Sequence, residues 1–263
     1  MSEADQPAAI AGRFVSARRA ATGLDDYPGG YPDTLDQAYA VQDLAIALWR
    51  SPVIGWKVGR INPPYTERFG TDRLAGPIFQ STSDPDPEMP VFAEGFAAAE
   101  AEFLLRIGAA PPAGQRDFSL AEAAALIDSV HIGIEIASSP LGAINDLGPV
   151  AVVSDFGNNN GLVIGPEIAG WQSSEFENWR VSMLIEGAEV GTGAAAAFPD
   201  GAIGAARFLF EHAARRGIAL GAGHWISSGA VTGVHDVRPG QRIEARFGPG
   251  LAVRCTIGVA QPK

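Results

Sequence analysis

A single cysteine, Cys255, occurs in 263 residues. One thiol can make neither an internal disulfide nor a thiolate metal cluster, and its place in the strand-like LAVRCTIGVA suits a buried core position. Lysine is nearly as scarce: of 19 basic residues only Lys57 and Lys263 are lysines. Arginine therefore carries the positive surface charge, and the one internal lysine needs a reason. Positive charge as a whole is in deficit, with 30 acidic side chains and a net charge of −11. That balance argues against a nucleic-acid or anionic-membrane partner, although a local cation can still hold a small anion. No run approaches the roughly 20 apolar residues that span a bilayer. The first residues, MSEADQPAAIAG, lack the basic-then-apolar pattern of a signal segment, so a soluble cytoplasmic protein is expected. G-x-S-x-G, a Walker loop and H-E-x-x-H are all missing. GTGAAA at 191–196 imitates a dinucleotide loop, but Pro199 and Asp200 start the next helix too late for that geometry.

What is present is an ordinary globular mixture, 46% apolar, with 32 glycines and 19 prolines that imply many turns and short strands. Residues 6–22 have helical spacing. Thr34-x-x-Gln37 is a capping-box pattern ahead of the apolar stripe Leu35, Ala38, Val41, Leu44, Ala45 and Leu48. From PVIGWKVG onward strands dominate. Residues 81–90, STSDPDPEMP, read as a loop. Ser119-x-x-Glu122 opens a helix of about three turns. VHIGIEIAS alternates as a strand, while VAVVSDF and GLVIG read as buried strands around a Gly/Asn turn. Residues 201–217 form an amphipathic helix closed by Gly217, with His212 on its surface. Helices first and strands later predict an α+β design. An N-terminal helical portion, residues 1–75, would pack on a β-rich body, residues 76–263, as one integrated unit.

The chemistry concentrates in the apolar strand FAAAEAEFLLRIG. Glu100 and Glu102 share one face of it, because side chains two apart on a strand point the same way. In HIGIEIAS, Ile132, Ile134 and Ile136 take one face and leave Glu135 alone on the other. These three carboxylates are either solvent-facing residues of an antiparallel sheet or a convergent site for a hard divalent cation, Mg²⁺ or Mn²⁺, which prefers oxygen ligands. Periodicity leaves both readings open. Three companions favour the second. Lys57 lies between glycines in GWKVG. Asp155 begins a turn in VSDFGNNNG. The segment GHWISSGAVTG offers backbone N–H groups and the hydroxyls of Ser227, Ser228 and Thr232 to an anion.

The motifs AYAVQ, GWKVG, AEAEFLL, GIEIA, SDFGNNNGLVIG, GAGHWISSGAVTG and VRPGQRI, in this order, resemble the fumarylacetoacetate hydrolase superfamily in its 2-keto-4-pentenoate hydratase and oxalocrotonate decarboxylase branch. The resemblance runs from about residue 35 to the end. It implies a β-rich body of the mixed β-roll or sandwich type, a small anionic 2-oxo acid as substrate, a place in aromatic catabolism and a homo-oligomer. It implies that Glu100, Glu102 and Glu135 hold Mg²⁺ or Mn²⁺ and that Lys57 stands beside the metal-bound oxo acid. Asp155 would shuttle protons, although Phe156 replaces the usual Asn after it. Ser228, Gly229 and Thr232 would contact the substrate carboxylate. Leu74 occupies the position where hydratases of the branch carry a proposed acid/base Asp. The activity implied first is addition of water to a 2-hydroxy-2,4-dienoate through a metal-stabilised enolate. Decarboxylation or tautomerisation of a related 2-oxo acid, C–C hydrolysis of an acylpyruvate, and a non-catalytic acid-binding protein are the alternatives. His131 and Glu135 do not reproduce the His–Glu lid pair of the hydrolases. His235 reads as structural, and His224 could border the site.

Overall fold

The computed structural model describes residues 6–263. Helices α1 (Gln6–Ala20) and α2 (Leu35–Trp49) pack together at the start of the chain. The Thr34–Gln37 capping box forms as the sequence predicts: the Thr34 hydroxyl accepts the Gln37 N–H, and the Gln37 side chain accepts the cap N–H. Ile10, Phe14, Val41 and Ala45 bury this pair against Leu141, Ile144 and Phe156. Among the described residues no helix is long and apolar enough to cross a membrane.

Two sheets follow. The first holds β1 (Gly55–Arg60), β2 (Arg73–Ile78), β3 (Ser81–Thr82), β5 (Phe96–Ile107), β6 (Ile127–Ser139), β7 (Asn159–Glu167) and β10 (Trp225–Ser227), in the order β2-β1-β10-β5-β6-β7-β3, with β11 (His235–Asp236) on the end of β5. The second holds β4 (Glu88–Val91), β8 (Val181–Ile185), β9 (Ala188–Gly193), β12 (Arg242–Phe247) and β13 (Leu251–Val259), ordered β4-β13-β12-β8-β9. Short helices α3 (Tyr65–Phe69), α4 (Leu120–Ala125), α5 (Ile144–Leu147) and α6 (Pro149–Ser154) lie between strands, and α7 (Gly201–Arg216) precedes β10. The mixture is α+β. β2 runs across the 75/76 division, and β1 lies in the same sheet as β5 and β6.

The strand order of the first sheet dictates its shape. β2 and β3 stand at opposite ends of that order, yet only Phe79 and Gln80 separate them in the chain. Three peptide links from Ile78 to Ser81 span at most roughly 11 Å, whereas six strand spacings of about 4.8 Å would hold the edges of a flat sheet about 29 Å apart. The sheet must therefore curl into a nearly closed roll. Gly76 marks the close approach: a Cβ there would lie 2.4 Å from the carbonyl oxygen of Phe156. On the outside of the roll, Ala99, Ala101 and Phe103 of β5 join Ile132, Ile134 and Ile136 of β6, residues of the second sheet and the apolar face of α7 in the main core. Phe103 meets Phe176 and Phe247 edge-on, with centroids 4.9 and 5.2 Å apart. The opposite face of β5, with Glu100, Glu102 and Leu104, turns inward.

Four expectations are corrected. Residues 150–154, read as strand, form α6, because Pro149 presets the first helical turn and the valines pack against α2. The helix after Ser119 has six residues, since pairing of Ile127–Ser139 with β5 overrides local helix propensity. The 81–90 stretch contributes β3 and the start of β4, which pairs with β13. His212 is not on the surface. It is buried with its ring 4.8 Å from Tyr39 and 5.3 Å from Phe208, centroid to centroid.

Burial first, then Arg216 and Arg215, lower the pKa of His212 to about 3. This base is neutral in the folded state and titrates near 6.5 when unfolded. Its contribution to stability is intact above pH 6.5 and is lost as pH falls toward 3. The variant His212→Gln is expected to lose stability less steeply between pH 6.5 and 4 than the parent, measured by urea unfolding. Equal slopes would show that His212 is not the titrating group.

Candidate active site

Five adjacent strands of the roll contribute to one buried cluster: Lys57 from β1, Ser227 from β10, Glu100 and Glu102 from β5, Glu135 from β6 and Asn159 from β7. Glu100 lies directly across from Glu135 in the ladder, and Glu102 across from Gly133. The solvent-facing reading fails on exposure, which is 4% for Glu100 and 0% for Glu102 and Glu135. One oxygen from each carboxylate lies within 4.8 Å of the others.

Lys57 reaches this cluster only because the sheet is curled. Its strand is three places from β6 in the order, yet its Nζ stands 3.2 Å from Glu135 Oε1. Lys57 also donates to Asn158 Oδ1 at 3.3 Å, and Asn159 Nδ2 donates to Glu135 Oε1 at 2.9 Å. Glu102 Oε2 accepts from Ser227 Oγ at 2.5 Å and from the Gly229 N–H at 2.9 Å. Each of these two carboxylates is thus fixed by one oxygen. The other oxygen, Glu102 Oε1 or Glu135 Oε2, is buried with no hydrogen-bond partner. A buried acceptor left unsatisfied costs about 1–3 kcal/mol, more when charged. Two such oxygens beside a third carboxylate are the donor set that a hard divalent cation takes.

The electrostatics agree. Burial raises the pKa of Glu102 well above its ordinary value, with Glu135 and Glu100 adding to the effect. Burial also raises Glu100, to about 7, although Lys57 opposes it. On Lys57 burial acts downward, but the three glutamates outweigh it and hold the ammonium above its usual range. One lysine does not balance three carboxylates, and a divalent cation would bring the local sum to zero.

A cleft of about 490 Å³ opens onto Lys57, Glu100 and Asn158. Ile61, Leu74, Val152 and Phe198 supply apolar wall, and among the described residues Lys57, Arg60 and Glu100 are the only charged ones that line it. The Arg60 guanidinium lies 5.2 Å from the centre of the Phe198 ring. A larger cleft of about 690 Å³, between α2 and α7, contains none of the cluster residues, and size alone does not make it the site.

Not every residue singled out in the sequence comes to this place. Asp155 is fully buried at the end of α6 and does not line the cleft. Its carboxylate accepts from Arg18 Nε at 2.5 Å, Arg18 Nη2 at 3.0 Å and Ser139 Oγ at 2.6 Å, so it has no free geometry for a proton shuttle. Gly229 is committed to Glu102, and the Thr232 hydroxyl lies 3.1 Å from His235 Nε2. Ser228 Oγ is buried without a partner, while Ala230, Gly233 and Val234 of the same segment line the cleft. His131 and His224 stay off the cleft, with His131 Nδ1 3.0 Å from the Gly165 carbonyl oxygen. Asn158, Asn159 and Arg60 also stand at the cluster or the cleft, unmarked among the sequence candidates. The run of three asparagines was the available signal for the first two; Arg60 offered none.

No family model matches this sequence, and no curated protein matches it. Solved structures do. The chain superposes on 4-oxalocrotonate decarboxylase from Pseudomonas putida G7, complexed with magnesium and adipate, at 22% identity and a TM-score of 0.82, covering 98% of this chain and 99% of that one. It also superposes on fumarylpyruvate hydrolase from Pseudomonas aeruginosa in complex with Mn²⁺ and pyruvate, at 13% identity, TM-score 0.57, 78% of this chain and 88% of that one. A third is 2-hydroxyhepta-2,4-diene-1,7-dioate isomerase from Mycobacterium marinum, at 15% identity, TM-score 0.57, 80% of this chain and 77% of that one. The fold is therefore of the fumarylacetoacetate hydrolase type. Its likeness to the decarboxylase extends over nearly the whole chain, the N-terminal helices included.

Proposed function

We propose that this protein is a metal-dependent decarboxylase of a 2-oxo-3-enedioate, acting in the cleft above Glu100, Glu102 and Glu135. The observation that carries this reading is the cleft lining. Among the described residues it is lined, beside Lys57 and Arg60, by one carboxylate, Glu100, which belongs to the cluster, and by no aspartate or histidine. Adding water to a distant alkene carbon calls for a group that activates the water, and Leu74 stands where the resemblance to the hydratases implies an acid/base Asp. Decarboxylation needs only an electron sink and a proton.

A divalent cation held by the three glutamates would supply Lewis acidity, worth several kcal/mol, roughly, at the oxygen where charge develops. As the bond to the far carboxyl carbon breaks, its electron pair moves through the conjugated carbons to the 2-oxo oxygen. CO₂ leaves, and protonation of that oxygen gives a 2-hydroxy-2,4-dienoate. Lys57, held charged by its neighbours, is placed to orient the forming enol and to give it a proton. The apolar wall at Leu74, Ile61 and Val152 keeps water from the reacting carbons. Two cations in the lining suit a dianion, and the decarboxylase of this fold carries magnesium with adipate, a six-carbon dicarboxylate, which supports a substrate of that kind.

The test is incubation with a 2-oxo-3-enedioate, with and without Mg²⁺, following CO₂ and ultraviolet absorbance together. One CO₂ per substrate, abolished by EDTA, is the expected result. Loss of absorbance without CO₂ would instead establish hydration or tautomerisation. Arg60→Ala is expected to raise KM for the dioate about 10- to 100-fold, the worth of a charge-assisted hydrogen bond, and to leave KM for a 2-oxo-monoacid unchanged. Equal effects on both acids would remove Arg60 from substrate selection.

A further inference from the structure

Arg18 belongs to α1, lines no part of the catalytic cleft and is nevertheless only 4% exposed. Its guanidinium spends all its donors. Nε and Nη2 hold the two oxygens of Asp155 at 2.5 and 3.0 Å, and Nη2 also reaches the carbonyl oxygens of Ser138 at 3.0 Å and Asp155 at 3.3 Å. Nη1 donates to the Asn159 carbonyl at 3.2 Å and to Asn160 Oδ1 at 3.3 Å. The rings of Phe92 and Phe156 lie 5.4 and 5.2 Å from its central carbon. These contacts enclose the segment 155–160, whose backbone is unusual. Phe156, Gly157 and Asn158 have φ of 57°, 64° and 55°, three consecutive left-handed residues of which two are not glycine. Non-glycine residues in that region cost on the order of 1–3 kcal/mol each and persist only where their surroundings over-determine them.

The strained turn has a product. It presents Asn158 Oδ1 to Lys57 Nζ and Asn159 Nδ2 to Glu135 Oε1. Each amide is held the right way round by its other end: Asn158 Nδ2 donates to Asn145 Oδ1 at 3.1 Å, and Asn159 Oδ1 accepts the Gly161 N–H at 3.1 Å. We propose that Arg18 and Asp155 are positioning residues: their buried pair clamps the left-handed turn and thereby sets the orientation of Lys57 and Glu135. The N-terminal helix is on this account part of the catalytic apparatus without touching substrate. The metal half of the effect rests on the cation reading of the cluster.

A double variant, Arg18→Met with Asp155→Asn, removes both charges and avoids leaving one buried ion alone, the change that costs most. Two readouts on the folded variant decide. The side-chain amide NMR signals of Asn158 and Asn159 in metal-free protein should lose dispersion and exchange faster with water. Mn²⁺ affinity, followed by electron paramagnetic resonance, should fall about 10- to 100-fold, as for other residues that orient metal ligands. Asn159→Ala should reproduce the loss of affinity while the Asn158 signals keep their dispersion. Unchanged asparagine signals, or unchanged Mn²⁺ affinity with a lower melting temperature, would reduce the pair to a structural ion bridge and overturn the proposal. If the double variant does not fold, Arg18→Lys serves, because an ammonium keeps the charge but cannot fill the six acceptors of the fork. Its signals and affinity should lie between those of parent and double variant, and parent-like values would overturn the proposal. Absence of Mn²⁺ binding by the parent would sink the cation reading, while the asparagine signals would still judge the clamp.

Discussion

Lys57→Met is expected to lower kcat by about 10²–10⁴-fold at saturating Mg²⁺, the usual contribution of a positioned proton donor. The argument begins with scarcity, since only one lysine lies inside the chain. Its strand position and the curl of the roll bring Nζ to Glu135 and Asn158, and the surrounding carboxylates keep it charged despite burial. Methionine preserves most of the volume and removes the proton and the charge. Metal binding should survive and even tighten, because the substitution removes a positive charge beside the cation. A variant with full turnover would take Lys57 out of the mechanism, and one that no longer binds Mn²⁺ would show that the lysine acts through the metal site and not as a proton donor.

Glu102→Gln is expected to act in opposite directions on stability and on binding. In the metal-free protein Glu100 and Glu102 titrate above the ordinary carboxylate range. Their folded pKa values exceed the unfolded ones, so the folded state holds protons that the unfolded state releases. The contribution of Glu100 to stability is complete below about pH 4.5 and is lost as pH rises through 7, and that of Glu102 is lost in the same direction. For Glu100 alone, the rise to about 7 from 4.5 corresponds to roughly 3 kcal/mol. A neutral amide at residue 102 relieves part of that repulsion. Metal-free Glu102→Gln should therefore melt higher than the parent at pH 8 and show little difference at pH 5. Its Mn²⁺ affinity should fall by more than the about 100-fold that bounds the residues behind the ligands. Mg²⁺ should raise the parent's melting temperature more at pH 8 than at pH 5. Calorimetry with EDTA or Mg²⁺ at both values tests all of this, and a metal-free variant that melts lower than the parent at pH 8 would refute it.

The parts of this molecule written in short-range pattern were readable. A spacing of two in AEAEF put Glu100 and Glu102 on one strand face, and the lone charge in HIGIEIA put Glu135 opposite its isoleucines, although periodicity left open whether those faces meet solvent or one another; two capping boxes marked helix starts that occur. The Asp missing at Leu74 was visible as a departure, and Leu74 lies in the wall of the cleft. What escaped was set by distant partners. Arg18 meets Asp155 across 137 residues of sequence, and nothing near either one announces the other. The valines of α6 look like a strand, because their helix is imposed by Pro149 and by α2. The resemblance gives Asp155 a proton-shuttle role, whereas alone in its turn it reads as an ordinary aspartate, and its side chain is held by the Arg18 guanidinium. His212 reads as a surface residue on a helical wheel until Tyr39 and Phe208 close over it.

The place of β10 between β1 and β5 bears on how the chain is made. Three residues that leave the ribosome after β1, β2, β5, β6 and β7 become the seam on which two earlier strands depend. Until then β1 has only β2 beside it, and the acidic pocket has no lysine fixed across from it. Such late, long-range closure slows folding, so a nascent chain halted before residue 225 should remain protease-sensitive and incapable of holding Mn²⁺.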